Sequence, residues 1–148
     1  IAGKAICLEI ARTAGFKKYI QQVIKNAQTL AEVLAKEGFK ICSGGTDTHL
    51  ILVDLTPIKI TGQQAETALE KCGITVNKNM VPGDPRKPLD PSGIRLGTPA
   101  VTTRGMKEKE MKELAKLIAL VAKNPENRVI LKQVSAEVKK LCKKFPIK

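Results

Sequence analysis

The run His49–Leu55 is the feature that most limits the folds open to this chain. Its residues are His-Leu-Ile-Leu-Val-Asp-Leu, nearly all apolar. A short run of this kind is typical of a central strand, so we expect it in the middle of a sheet. The run Phe39–Ser43 precedes it across a Gly-Gly turn, and two strands joined in this way pair most simply as antiparallel neighbours.

Helical patterns stand on both sides of these strands. Residues 1–11 predict a short helical segment, and residues 16–36 predict a long helix that Gly38 ends in a left-handed conformation. Two further helices are predicted, over residues 107–123 and after Asn124. In the last, Asn124 is expected at the N-cap and Pro125 at the first helical position.

The middle of the chain alternates a helix with strands. Thr61 and Gln64 have the spacing of a capping box, which predicts a helix up to about Lys71. Strands are predicted over 74–79 and 93–98, separated by a stiff loop with four prolines and followed by a polar turn after Pro99. The order of elements predicts an α+β fold, with helices packed on a small, mostly antiparallel sheet.

Charge suggests a second class of function. The net charge is +12, and residues 103–148 carry much of it. A stand-alone basic module that binds nucleic acid or an acidic partner is therefore an alternative, which the salt dependence of binding would test. Only 3% of residues are aromatic, which disfavours stacking on bases.

The sequence gives little support for a metal-binding protein or a membrane protein. The four cysteines form no close pair, so we expect neither a metal site nor a disulfide framework. No apolar run approaches the ~20 residues that span a bilayer, so no membrane partner is expected.

Arg95 is the first candidate for a binding residue. Along the predicted strand, Ile94 and Leu96 point to one face and Arg95 to the other. A guanidinium flanked by glycines suits a bidentate contact with a carboxylate or phosphate. Asn77 and Asn79 share a strand face and offer both donors and acceptors.

A complete catalytic set is not recognisable. His49 is the only histidine, and its position is more typical of a structural hydrogen bond than of a general base. A nucleophile and a base would therefore have to come from residues outside this chain, and we predict no catalytic residue within it.

Three segments together resemble the C-terminal part of serine hydroxymethyltransferase. They are Ser43-Gly-Gly-Thr-Asp-Thr-His-Leu, Ile74-Thr-Val-Asn-Lys-Asn and Ser92-Gly-Ile-Arg-Leu-Gly-Thr-Pro-Ala-Val-Thr-Thr-Arg-Gly, in matching order and spacing. The resemblance covers residues 1 to about 124. It implies the small C-terminal domain of a fold-type I pyridoxal-phosphate enzyme that interconverts serine and glycine with tetrahydrofolate.

The resemblance also assigns roles to residues. It implies that Arg95 binds the amino-acid carboxylate and that Asn79 contacts folate. Positions Lys87, Pro88 and Leu89 match a folate-lining Ser-Pro-Phe segment of which only the proline is kept. Thr48 replaces the usual asparagine of its motif.

Most of the family's cofactor residues are not in this chain. The lysine that bonds pyridoxal phosphate lies in the preceding large domain, and Lys78 does not take that role. We therefore expect a piece of a longer protein that is inactive alone and whose full-length form is a cytoplasmic homodimer or homotetramer. Within it we expect a linking helical segment over 1–38, a small α/β domain over 39–124 and a basic helix over 125–148.

Overall fold

The computed structural model describes residues 1–147, and it confirms the predicted α+β class. The described residues form six α-helices and one sheet of four strands. The helices are α1 (Ala2–Ala11), α2 (Ala14–Lys36), α3 (Gly62–Lys71), α4 (Pro99–Thr103), α5 (Glu108–Lys123) and α6 (Arg128–Lys144). The strands are β1 (Lys40–Ile41), β2 (Leu50–Asp54), β3 (Asn77–Asn79) and β4 (Gly93–Gly97).

The sheet is antiparallel throughout and has the order β1-β2-β4-β3. The apolar strand β2 therefore lies in the interior of the sheet, as its composition predicts. Strand β4 is hydrogen-bonded on both sides, so that Arg95 lies directly between Leu52 of β2 and Asn77 of β3. The position of Arg95 is thus fixed by two ladders.

The two faces of the sheet have opposite characters. Ile51, Val53, Ile94 and Leu96 are buried in the core, which the helices cover. Alternation along each strand sends Arg95 to the other face, where it is exposed. The predicted orientation of Arg95 is confirmed.

Helix α2 packs against α5 and α4, and a seam of hydrogen bonds fixes it against α4. The fully buried Asn26 donates to the Thr102 hydroxyl at 2.8 Å and to the carbonyl of Met106 at 3.0 Å. Nearer the start of α2, the Tyr19 hydroxyl lies 3.2 Å from the carbonyl oxygen of Pro99. The unfavourable burial of the Asn26 amide is offset because its partners are present.

Helix α6 is held at its C-terminal end by Arg104. The Arg104 Nε donates to the carbonyl of Phe145 at 2.7 Å, and Nη2 donates to the carbonyl of Cys142 at 3.1 Å. A cation at this position satisfies carbonyls that have no partner within the helix and interacts favourably with the helix dipole. Val134, Val138 and Leu141 bury the inner side of α6.

Two local predictions were wrong. The residues after Gly97 form helix α4 and not a polar turn, because Pro99 suits a first helical turn and Thr102 finds partners inside the core. The N-cap of α6 is Asn127 and not Asn124. The Asn124 side chain instead donates to the carbonyl of Leu120 and so ends α5.

The capping box at the start of α3 is confirmed. The Gln64 amide donates to the Thr61 hydroxyl, and the Gln64 side chain accepts from the Thr61 amide. Gly38 has positive φ after α2, as predicted, and Gly73 also has positive φ after α3. Strand β3 is shorter than expected, since its ladder begins only at Asn77.

The start of α3 lies against the backbone of β4 and the segment before it. The Gly62 amide donates to the carbonyl of Pro91 at 2.7 Å. A Cβ added at Gly62 would lie 2.2 Å from the carbonyl oxygen of Gly93. This contact is possible only because residue 62 lacks a side chain.

None of the helices within residues 1–147 is both long enough and apolar enough to span a bilayer.

We expect Gly62→Ala to lower the free energy of unfolding by about 1–3 kcal/mol, because its Cβ would be forced against a carbonyl oxygen that two strand pairings hold in place. Gly3→Ala is the matched control, since a Cβ at Gly3 meets nothing within 4 Å. Alanine in this exposed helix should be neutral or slightly stabilising. Urea denaturation measures both variants, and equal stabilities would contradict the close approach.

Candidate functional site

The open face of the sheet forms the floor of a pocket of ≈ 590 Å³. Arg95, Leu50 and Leu52 lie in this floor. Asn79 at the end of β3 and Pro82 in the proline loop line the pocket, and the segment Cys42–Thr48 lines it from another side. Two residues that sequence reasoning selected, Arg95 and Asn79, are therefore brought together in one pocket.

Arg95 is free to bind a ligand. Among the described ion pairs and side-chain hydrogen bonds, none involves its guanidinium. The backbone around it is held by the ladders to β2 and β3. A planar cation on a rigid strand can receive a carboxylate through two parallel hydrogen bonds.

Gly93 and Gly97 are the two end residues of β4 and stand on either side of Arg95. At Gly93 the neighbouring strand and loop leave no room for a side chain. A Cβ at Gly93 would lie 2.7 Å from the carbonyl oxygen of Val53 and 2.6 Å from a methyl group of Val81. The absence of a side chain lets β2, β4 and the start of the proline loop approach one another closely.

The segment Cys42–Thr48 is a compact loop. Ser43 and Gly44 both have positive φ, and Ser43 is one of two such non-glycine residues in the part of the chain described. The Thr46 hydroxyl donates to the carbonyl of Leu50 at 2.6 Å, and the Thr48 hydroxyl accepts from the amide of Leu50 at 3.2 Å. Thr48 thus satisfies the first amide of β2. The side-chain oxygen of an asparagine at position 48 could accept the same hydrogen bond.

The sequence analysis did not identify this loop as a wall of the site. The Gly-Gly pair predicts a turn without indicating what the turn encloses, and the resemblance of this segment assigned no binding role to its residues.

Asn79 has one local hydrogen bond. Its Nδ2 donates to the carbonyl of Met80 at 2.8 Å, which leaves its carbonyl oxygen without a described donor. Asn77, two residues earlier on the same face, is exposed beside Arg95. Each amide offers polar atoms toward the open face.

The proline loop is closed by Asp84, a residue that sequence reasoning missed. Its carboxylate accepts from the Ser92 amide at 2.9 Å, the Ser92 hydroxyl at 2.7 Å, the Arg86 amide at 2.9 Å and the Val81 amide at 3.2 Å. Burial acts to raise the pKa of Asp84, but these hydrogen bonds outweigh it and hold the pKa well below the ordinary value. The Gly-Asp-Pro sequence was an available signal, because aspartate in such a turn bonds backbone amides nearby.

Lys87, Pro88 and Leu89 lie in the outer part of this loop. All three are exposed, and Leu89 retains 81% of its accessible surface. None of them lines the pocket around Arg95. The structure therefore separates them from the pair Arg95 and Asn79, and their role stays a prediction.

The two lysines nearest to the site on the sheet are both engaged. The Lys40 amine pairs with Asp54 at 3.0 Å, and this hydrogen bond raises the pKa of Lys40. The Lys78 amine lies on the helix-covered face, where it contacts Gln63 and pairs with Glu66 at 3.9 Å. Neither is a free amine at the pocket.

Asp54 itself is buried. Burial acts to raise its pKa, but hydrogen bonds from Thr56 and from Lys40 outweigh this effect and lower it. The Cys42 thiol in the pocket wall is neutral at pH 7, because burial raises its pKa. Within residues 1–147 no group of three or more His, Cys, Asp or Glu side chains could hold a metal ion.

A protein-family model described as serine hydroxymethyltransferase matches residues 1–118. The match includes the whole sheet, the pocket around Arg95 and most of α5. Helix α6 lies outside it.

We expect the stabilising effect of Asp84 to depend on pH. Its pKa in the folded chain is lowered, so its contribution is fully present above the unperturbed value of 3.8 and is lost progressively as the pH falls below it. The thermal unfolding midpoint of Asp84→Asn should be lower than that of the wild type at pH 6, and the difference should shrink at pH 3. Asp47→Asn, which removes an exposed carboxylate with no described hydrogen bond, is the control. A difference that is the same at both pH values would contradict the assignment.

Proposed function

The chain belongs to the serine hydroxymethyltransferase family, and on this basis we propose that it is the C-terminal part of such an enzyme and holds the substrate carboxylate on Arg95. Enzymes of this family are transferases of one-carbon metabolism that act on serine and glycine and depend on pyridoxal phosphate and folate. One observation carries the proposal: Arg95, whose guanidinium has no described partner, lines a pocket on a strand whose backbone is held by two ladders.

Arg95 suits a small amino acid because of what surrounds it. The pocket floor beside it is apolar at Leu50 and Leu52, and Asp47 is the one carboxylate among the lining residues. A carboxylate bound there would have few competing negative charges. Two parallel hydrogen bonds to the guanidinium would also fix the direction of the bound molecule.

Asn79 supports the folate part of the proposal. It lines the same pocket as Arg95, and its carbonyl oxygen has no described donor. We assign this oxygen to a donor group of folate. Lys87, Pro88 and Leu89 would contact the exposed end of the cosubstrate. They lie in the outer part of the proline loop, which follows Asn79 in the chain.

We propose that the pyridoxal-phosphate site lies elsewhere in the complete enzyme. The cofactor needs a neutral amine, and the Lys40 amine is held as a cation by Asp54 while the Lys78 amine is bound on the other face. His49 is an exposed residue directly before β2, and its side chain has no described hydrogen bond. The proposed role of this chain is therefore binding and orientation, and the chemistry belongs to residues elsewhere in the complete enzyme.

The proposal extends to the organisation of the complete protein. In it, residues 1–38 lead from a large cofactor domain, residues 39–124 form the small domain, and residues 125–148 are a basic addition. Helix α2 also contributes to the core with α5, so the first of these segments is packed against the second. A cytoplasmic homodimer or homotetramer is the assembly that we propose.

One surface supports the alternative of a basic binding module. A concave region of ≈ 410 Å³ at α6 is lined by Lys71, Arg128, Lys132 and Lys139, and none of the four belongs to a described ion pair. Its other lining residues include no aromatic side chain, so it offers charge without a surface for base stacking. The pocket at Arg95 supports the first proposal more specifically, because two independently selected residues meet there.

We expect Arg95→Ala in the complete enzyme to raise the KM for serine about 10- to 100-fold, since the loss of a charged hydrogen-bonding partner costs about 1.5–3 kcal/mol. Arg95→Lys should recover only part of this loss, because an ammonium cannot make the two parallel bonds. Steady-state kinetics with serine and tetrahydrofolate measure the effect. Arg128→Ala is the control for general loss of positive charge, and equal KM values for Arg95→Ala and the wild type would refute the carboxylate role.

We also expect the 148-residue chain alone to give no new absorbance band near the edge of the visible range when pyridoxal phosphate is added, because neither lysine beside the pocket offers a free amine. Absorption spectroscopy at increasing cofactor concentration is the measurement. A saturable band that disappears in Lys40→Ala or Lys78→Ala would contradict the proposed division of roles.

A further inference from the structure

A second pocket lies on the opposite side of the sheet from Arg95. Its volume is ≈ 260 Å³, and it is enclosed by β4, α4, α5 and α6. Apolar side chains form most of its wall: Leu30, Leu96, Met106, Ile118, Val138 and Leu141. For comparison, an apolar cavity of about 150 Å³ holds benzene.

The pocket opens to solvent through small and polar residues. Gly73, Thr75, Gly97 and Ala100 line it and are exposed. Four otherwise buried residues of the wall, Ile74, Val76, Val138 and Leu141, each retain 8% of their accessible surface. Apolar surface in contact with water is unfavourable, so a molecule that covered it would gain free energy.

One cation belongs to this otherwise apolar wall. Arg104 lines the pocket and is half-buried, and it uses Nε and Nη2 to hold the end of α6. A guanidinium has five N–H donors, and the remaining ones have no acceptor within residues 1–147. Arg104 also forms no described ion pair with a carboxylate.

We propose that this pocket is a binding site for a small amphipathic anion, an apolar chain or ring that ends in a carboxylate. The apolar part would fill the space between Leu96 and Val138, and the carboxylate would bind Arg104. A medium-chain fatty acid of about six to eight carbon atoms has the required size and charge. The site is separate from the pocket at Arg95, because β4 lies between them.

Part of the wall of this site belongs to helix α6, which lies outside the residues that the family model matches. Val138, Leu141 and Cys142 form one wall, and all three lie beyond the residues that the family model matches. The proposed ligand would therefore contact both the sheet and α6, and its carboxylate would bind the arginine that fastens α6.

The test uses the 148-residue chain with octanoate and its neutral counterpart 1-octanol. Binding of octanoate should be saturable, and NMR should show shifts of the methyl groups of Ile74, Val76, Val138 and Leu141. Ala100→Phe places a ring at the opening and should weaken octanoate binding at least tenfold. Ala136→Phe, which adds the same ring to an exposed part of α6 away from the pocket, is the matched control and should bind as the wild type does.

Arg104→Gln separates charge from shape. It should weaken octanoate binding about 10- to 100-fold, the effect of losing a charged hydrogen-bonding partner, and leave 1-octanol binding unchanged. Unchanged 1-octanol binding would also show that the pocket still forms in this variant. No shift in the wild type, or equal losses of octanoate and 1-octanol binding in Arg104→Gln, would overturn the proposal.

Discussion

The pairing of β4 on both sides is the constraint on which the rest of the structure depends. It fixes three neighbouring residues at once: Ile94 and Leu96 toward the helices and Arg95 toward the open face. The same pairing holds the carbonyl of Gly93 against the start of α3, so the strand organises the core on one side and the pocket on the other. Because the burial of two aliphatic side chains and the presentation of one cation follow from a single register, a shift of one residue would reverse both.

Several charged side chains near the pocket are hydrogen-bonded or ion-paired within the fold. Asp84 is bound by amide groups, Asp54 by Thr56 and Lys40, and Lys78 by residues of α3. Each of these groups is satisfied by the fold itself. Arg95 is different, since its guanidinium has no such partner among the described contacts. Among the charged residues that line the pocket, Arg95 and Asp47 have no described partner, and Arg95 is the only cation of the two.

The sequence predicted what depends on local pattern. Alternation along 93–97 predicted which way Arg95 points, the Thr61 and Gln64 spacing predicted a capping box, and an apolar run predicted an interior strand. What it did not predict depends on partners distant in sequence. Helix α4 forms because Thr102 meets Asn26, and the loop 42–48 becomes a wall only when β4 lies beside β2. Asn124 and Asn127 are equally good caps on local grounds, and α5 uses the first of them to end.

The buried amide of Asn26 has a consequence for how this chain can vary. Its donors are matched to Thr102 and to the carbonyl of Met106, and its oxygen accepts from Gln22. A movement of α2 by one helical turn would bury the two amide donors without Thr102 and the Met106 carbonyl, and each unsatisfied buried group costs about 1–3 kcal/mol. Helix α2 therefore has one position along α4, and positions 26 and 102 should change together when the sequence diverges. Asn26 and Thr102 would therefore vary together although neither lines the pocket at Arg95.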